Sequence, residues 1–170
     1  IGIGADRLIY TPYLMGERTP HLDADCRGAF VGLSAMHTRA HLARAVMEGM
    51  CYAMKDCQDV LFEMGVSMDE MALCGGGAKS PLLRQMLSDV YGLPCTLPLM
   101  TNSAALGVAI LAAVGCGLYP DVRTACDSIL SFKKAEQPDA QRNAQYLKVH
   151  QVYRGIYPGL KNTYAALAAL

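Results

Sequence analysis

The sequence lacks a surplus of charge of either sign. Fifteen Lys and Arg residues balance fifteen Asp and Glu residues, so the formal net charge is zero. With no basic excess to neutralise phosphates, nothing suggests an electrostatic footprint for nucleic acid or a membrane surface. The one adjacent basic pair, Lys133-Lys134, reads as a solvated feature. Paired cysteine motifs are missing too. The seven cysteines (Cys26, Cys51, Cys57, Cys74, Cys95, Cys116 and Cys126) are odd in number, and no two are spaced as C-x-x-C. Several fall in apolar runs, where a free thiol behaves as a small hydrophobe. The expectation is a reducing, cytoplasmic compartment with no zinc site and no disulfide framework. No apolar stretch is long and clean enough to span a bilayer, and no segment has the build of a secretory signal.

What is present is a core-forming composition. Over 170 residues, 52% are hydrophobic and 18% charged, as in one folded domain. The most informative stretch is Leu73-Cys74-Gly75-Gly76-Gly77-Ala78-Lys79-Ser80-Pro81. An apolar run from Met71 to Cys74 ends in three glycines, and a strong helix start follows at once. Three glycines remove every side chain from a strand-to-helix turn, so a ligand can lie on the backbone itself. The helix that opens next offers free N–H groups and the positive end of its dipole. The stretch does not make a Walker A loop, because glycines are missing before the turn and at Ala78. A tight structural turn is the bland alternative. The functional reading is a backbone platform for a nucleoside and its first phosphate, formed by Gly75, Gly76, Gly77 and Ala78, with Ser80 capping the helix below. Arg84, one turn inside, either reaches the ligand edge or lies on the surface.

Around this turn the pattern alternates. Leu8 to Leu14, with Pro12 inside, reads as an edge strand or extended segment, and 16–25 as a loop. Ala29 to Leu33 reads as a short strand. Thr38 caps a long helix whose apolar stripe is Leu42, Val46, Met50, Ala53, Cys57, Val60 and Met64, closed by Gly65. After Met71–Cys74 and the glycines, a helix from Pro81 buries Leu82, Leu83, Met86, Leu87 and Val90 and ends at Gly92. Cys95–Leu97 is a strand. Ser103 caps a small-residue helix to about Val114, and Tyr119-Pro120-Asp121 opens another to about Leu130. The tail from Pro138 is helical, broken near Tyr157-Pro158-Gly159. Strand–helix–strand order over 71–114 implies parallel pairing. There are no repeats. Strands are too few for a complete sheet, and the chain opens without Met, so a segment of a longer protein is expected.

Three further features have open readings. Gly16-Glu17-Arg18-Thr19-Pro20 is either a solvated turn or a ligand- or domain-contact loop. His37 and His41 are four apart, but no Glu or Cys completes a metal set, so no metal site is expected; His21 and His150 stand alone. Thr101-Asn102-Ser103-Ala104-Ala105-Leu106-Gly107 reads as capping plus close packing, or as closure of the nucleotide pocket around Asn102.

These residues resemble the FGGY family of carbohydrate kinases, within the actin-like ATPase superfamily. Gly28-Ala29-Phe30-Val31-Gly32-Leu33 begins the family's C-terminal signature. His41-Leu42-Ala43-Arg44-Ala45-Val46-Met47-Glu48 completes it after a seven-residue spacer. Gly75–Ser80 is similar to the family's adenosine motif, and Ala104–Ala109 to the helix that follows it. The segment Pro12-Tyr13-Leu14, with Gly16-Glu17-Arg18-Thr19-Pro20-His21, looks most like members that act on xylulose, as does Pro138-Asp139-Ala140-Gln141.

The resemblance implies an α/β, ribonuclease H-like (actin-like ATPase) domain. The chain, 1–170, would be its C-terminal portion and nucleotide-binding half, helix-rich with a short mixed sheet. It implies ATP with Mg2+ and phosphoryl transfer to the 5-hydroxyl of D-xylulose, the sugar being held by a domain absent from this chain. Asp6, Asp23, Asp25, Asp56 and Asp59 match no catalytic motif, so the base is expected upstream and the chain alone should be inactive. Glu17 and Arg18 would order a loop near the interdomain cleft. Exposed sheet edges imply self-association into a homo-oligomer. Two alternatives stay open: a kinase for gluconate, glycerol or ribulose, and a non-catalytic actin-like binding or regulatory module.

Overall fold

The computed structural model describes residues 1–100 and 103–170. Thr101 and Asn102 lie outside the described residues. The chain divides into two units, one of residues 1–67, 89–92 and 138–170, the other of residues 68–88 and 93–137.

In the first unit, β1 (Ile9–Thr11) pairs antiparallel with β2 (Ala29–Val31), Tyr10 opposite Phe30. Pro12 lies just past β1, so the strand is shorter than its apolar run. Helix α1 (Arg39–Glu63) follows, with Thr38 in extended conformation as its N-cap. The His41 ring occupies the place a glutamate usually takes in a capping box: its Nδ1 accepts from the Thr38 N–H at 3.1 Å. Its Nε2 meets Asp6 Oδ2 at 2.9 Å, and His37 Nε2 meets the Asp6 carbonyl at 3.1 Å. Both histidines therefore organise a helix start.

The apolar stripe expected on α1 is not its buried face. Met50 and Met64 are exposed, and Leu42, Val46, Ala53, Cys57 and Val60 only half-buried. The buried line is Ala45, Glu48, Gly49, Tyr52 and Asp56, one position round the helix. Two carboxylates can be buried there because both are paired. Glu48 accepts from the Gly4 N–H at 3.0 Å and from Arg44 Nε at 2.6 Å. Asp56 meets His150 Nε2 at 2.8 Å. Gly49 lets β1 touch the helix, and Ala5, Leu8, Tyr10 and Ala45 form the local core.

Helices α5 (Ala140–Arg154) and α6 (Ile156–Ala168) complete this unit. The break falls at Gly155, not at Tyr157–Gly159. Pro158 sits in the first turn of α6, where no intrahelical N–H bond is needed. The helices contribute Tyr146, Tyr153, Tyr157 and Tyr164 to the interior. Arg44 Nη2 donates to the Tyr146 hydroxyl at 2.7 Å, which ties α1 to α5.

Glu48→Ala leaves the Gly4 amide and the Arg44 guanidinium without their carboxylate. Breaking a buried pair in this way should cost about 3 kcal/mol, read from the urea midpoint. Burial raises the Glu48 pKa, opposed by Arg44. Its folded value thus lies above its unfolded value. Its titration contributes most stability below the unfolded value, and that contribution falls as pH rises through the folded one. Glu48→Gln should therefore cost more at pH 4 than at pH 7.

The second unit holds a mixed three-stranded sheet in the order β3 (Met71–Ala72), β4 (Cys95–Pro98), β5 (Phe132–Lys134). β3 and β4 are parallel, as expected, and the pairing extends to the Leu73 N–H, which donates to the Thr96 carbonyl at 2.9 Å. β5 runs antiparallel to β4. It is missing from the sequence reading because Phe132-Lys133-Lys134 offers a single apolar residue and no alternation. Helix α2 (Pro81–Tyr91) gives its first eight residues to this unit and Asp89–Tyr91 to the other. Met86, Leu87 and Val90 are buried as expected, Leu83 is half-buried and Leu82 is exposed. Helix α3 (Ser103–Gly115) packs with α4 (Val122–Ile129), whose N-cap Asp121 accepts from the Thr124 N–H at 2.7 Å. All seven cysteines are free. Among the described residues no helix is long and apolar enough to cross a membrane.

Candidate nucleotide site

The glycine turn lies between β3 and α2, inside the second unit. The chain leaves β3 through Leu73 and Cys74 and turns at Gly75, whose φ of +81° favours glycine. It then winds one 3-10 turn over Gly77–Lys79 before α2 begins. Ser80 caps α2, its Oγ accepting from the Leu83 N–H at 3.3 Å. That hydroxyl is thus used by the helix, unlike the metal-binding serine of a Walker A loop.

A cavity of about 610 Å³ opens over this turn. Leu73, Leu97, Pro98 and Leu99 give it apolar walls; Gly75, Gly76 and Ala78 give it backbone; Lys79 and Lys133 give it charge. A Cβ added at Gly75 or Gly76 would meet nothing within 4 Å. Among the described residues, no group accepts from the N–H of either glycine. The surface there is bare backbone with free donors, which suits a phosphate or ribose laid directly on it. The apolar walls suit a base. Neither Lys79 nor Lys133 makes an ion pair among the described residues.

Of the residues expected here, Gly75, Gly76, Ala78 and Arg84 line the cavity together. Gly77 and Ser80 do not. A Cβ on Gly77 would sit 3.2 Å from Leu83 Cδ2, so this glycine serves the packing of α2 on the turn. Arg84 is engaged on both sides. Its Nε donates to Glu136 Oε1 and its Nη1 to the Ala78 carbonyl, each at 2.8 Å. It braces the turn against the segment after β5, which favours a supporting role over a free ligand contact. Asn102 lies outside the described residues. Sequence reasoning missed Lys133, taken for a solvated residue. Its place on the cavity depends on the unrecognised strand β5, and nothing local marks it.

The first unit holds the remaining candidates. Glu17 uses its carboxylate on its own turn, Oε1 accepting from the Arg18 N–H at 2.8 Å and the Thr19 N–H at 3.1 Å. His150 does not stand alone: it is bonded to Asp56, and Asp56, Asp59 and His150 place donor atoms within 4.8 Å of one another. Lys55 pairs with Asp59, so that cluster is already balanced by its own partners. His21 does not stand alone either, since it stacks on Tyr157. With Asp6 on His41 and Asp23 on Tyr157, four of the five aspartates that match no catalytic motif have side-chain partners here.

A mixed sheet, a bare glycine turn and a capped helix beneath a part-apolar, cationic cavity belong to a helix-rich α/β domain of the actin-like ATPase fold. The comparisons narrow this. The sequence profile of the FGGY family of carbohydrate kinases, C-terminal domain, matches residues 3–116, and the chain belongs to that family. It is 35% identical over 168 residues to a xylulose kinase of Staphylococcus epidermidis, covering 99% of this chain and 34% of that protein. The ligand-bound crystal structure of a xylulose kinase from Lactobacillus acidophilus superposes with a TM-score of 0.88 at 31% identity, over 98% of this chain and 34% of that one. A gluconate kinase structure from the same organism superposes at 0.87, with the same identity and the same coverage of both chains. The chain spans about a third of the length of the curated relatives it matches.

Proposed function

We propose that this chain is the nucleotide-holding C-terminal portion of an ATP-dependent sugar kinase that phosphorylates D-xylulose on its 5-hydroxyl. The observation that carries the reading is the Gly75–Gly76 backbone, open to a cavity with Lys79 and Lys133 on its wall, in a chain of this family. In this reading the base of ATP lies against Leu73, Leu97, Pro98 and Leu99. The free amides of Gly75 and Gly76 meet the ribose or first phosphate, and the two lysines offset phosphate charge. Arg84 and Glu136 keep the turn from yielding when the ligand binds.

Among the described residues, no carboxylate lines the cavity. The residues present therefore do not fit a magnesium site, and no general base stands beside the phosphates. Magnesium and the aspartate that takes the sugar proton would come from outside residues 1–170, together with the sugar-holding domain. The isolated chain is accordingly proposed to be inactive, and the parent to work in the cytoplasm, where ATP is plentiful. Exposed Met15, Val108, Leu111 and Leu118 support self-association as a further part of the proposal.

The equal standing of a gluconate kinase among the structural neighbours keeps a second sugar in view. The test is a coupled ADP-release assay of the full-length protein with D-xylulose, gluconate, glycerol and ribulose. We expect D-xylulose to give the highest kcat/KM. A higher value for another sugar would reassign the substrate. ADP binding without transfer to any of them would point to a non-catalytic module.

A further inference from the structure

Helix α1 carries its apolar side outward. Met47, Met50, Met54, Cys57, Leu61 and Met64, the last at the C-cap, recur at steps of three and four. The row runs along about 25 Å of helix. Met50, Met54 and Leu61 leave 38%, 44% and 38% of their surface exposed, and Met64 leaves 73%. Met47 and Cys57 are half-buried, as are Ala53 and Val60 beside the row. The charges of the helix go the other way. Arg44, Glu48, Lys55, Asp56 and Asp59 are the charged residues of 43–62, and all lie off the row. Each is paired within its own unit: Arg44 with Glu48, Lys55 with Asp59, and Asp56 with His150. A helix that ends its packing at the surface shows the reverse pattern, with its polar face toward water.

The shape of the face says what kind of cover it takes. A helix that pairs with one other helix has a narrow seam, with charged residues on its shoulders to set the register of the partner. Here the apolar arc is about 140° wide at about 100° per residue. Its shoulders are Ala53 and Val60 on one side and the buried Cys51 and Gln58 on the other, without a charge among them. That breadth belongs to a helix face turned toward the interior of a domain. Contacts between separate proteins keep a polar rim, whereas permanent ones resemble a domain core. The curated relatives are about three times as long as this chain, which is length enough to supply such a layer.

We propose that the outward face of α1 is an interior contact of the whole protein, covered by an apolar layer of the same polypeptide from outside residues 1–170. The proposal rests on the reading of this chain as one portion of a longer kinase. Four methionines in the row suit such a contact, because an unbranched, polarisable side chain fills irregular gaps. A second copy of the chain is the competing occupant, and dilution separates the two.

The test is methionine oxidation of the full-length protein by dilute hydrogen peroxide, read residue by residue by mass spectrometry. The same protein unfolded in urea gives the unprotected rate. Met50 and Met54 should oxidise at least about tenfold more slowly in the folded protein, because sulfoxide formation follows exposure. The protection should persist on about hundredfold dilution, as an intramolecular contact does. Photo-methionine built into the protein then names the occupant. Cross-links from residues 45–55 should reach sequence outside 1–170 without doubling the mass. Folded rates within about twofold of the unfolded ones overturn the proposal. Protection lost on dilution, or cross-links that double the mass, assign the face to a second copy and overturn it as well. Cross-links confined to residues 1–170 overturn it too. Sugar-dependent ADP release, measured on the same sample, keeps the two readings apart. An active kinase with unprotected methionines overturns this contact alone. A protein inert toward every sugar, with protected methionines cross-linked outside 1–170, overturns the kinase reading and supports the contact.

Discussion

Gly49→Ala is expected to lower the thermal midpoint by about 4–8 °C, given about 2–4 °C per kcal/mol for a protein of this size. Gly49 sits inside α1, where alanine is normally the better helix former by about 1 kcal/mol. Intrinsic propensity alone therefore predicts stabilisation. The packing reverses the sign. A Cβ built on Gly49 would stand 2.1 Å from the carbonyl oxygen of Tyr10 in β1 and 3.3 Å from the edge of the Tyr10 ring. The first of these obstacles is backbone, which no rotamer change can move. Either α1 and β1 separate, opening the contact around Leu8, Tyr10 and Ala45, or the strand shifts and weakens its pairing with β2. Overpacking of this kind costs about 1–3 kcal/mol and occasionally more. A backbone oxygen at 2.1 Å puts this variant at the upper end, about 3 kcal/mol, of which about 2 kcal/mol survives the helix gain. Calorimetry on wild type and variant decides the matter, and a midpoint at or above wild type would mean the close approach of β1 to α1 is wrong.

The second large effect is on ligand binding and should leave the fold alone. Gly76 has φ −64° and ψ −39°, which any L-residue adopts, and a Cβ there meets nothing within 4 Å. Gly76→Leu should therefore fold as well as wild type while filling the surface proposed for the nucleotide. ADP affinity is expected to fall by about thirtyfold, or about 2 kcal/mol. Gly75→Leu is the informative contrast. Its φ of +81° is a left-handed conformation that costs a side-chain-bearing residue about 1–2 kcal/mol. It should lose stability as well as affinity. Titration calorimetry with parallel melting curves separates the two cases. Unaltered ADP affinity in Gly76→Leu would remove the turn from the binding site.

The backbone of the glycine turn was more legible in the sequence than its surroundings. The turn announces itself because three glycines between an apolar run and Ser80-Pro81 leave few alternatives, and the cap, the helix and the parallel β3–β4 pair stand where that pattern puts them. The buried face of α1 was not legible. A periodicity argument counts polar residues as outward, whereas Glu48 and Asp56 are buried because Arg44, Gly4 and His150, distant or differently oriented in sequence, satisfy them. The same reason hid the contacts that hold the loop after β1. His21, Asp23 and Tyr157 are unremarkable separately and meet only when α6 folds back beside the loop. Arg84 was legible as a neighbour of the turn, but its engagement by Glu136 depends on a segment 52 residues away. Lys133 reached the cavity through β5, a strand of three residues with a single apolar member.

A nucleotide is proposed to lie on the Gly75–Gly76 turn. Amide hydrogen exchange of the full-length protein, followed by mass spectrometry with and without saturating ADP, tests it most directly. Slowed exchange is expected in peptides covering 73–84, because the amides of Gly75 and Gly76 gain an acceptor and the start of α2 is stiffened. Peptides around Lys133 should slow to a smaller degree. Slowed exchange confined to other parts of the protein, with 73–84 exchanging as fast as before, would contradict it.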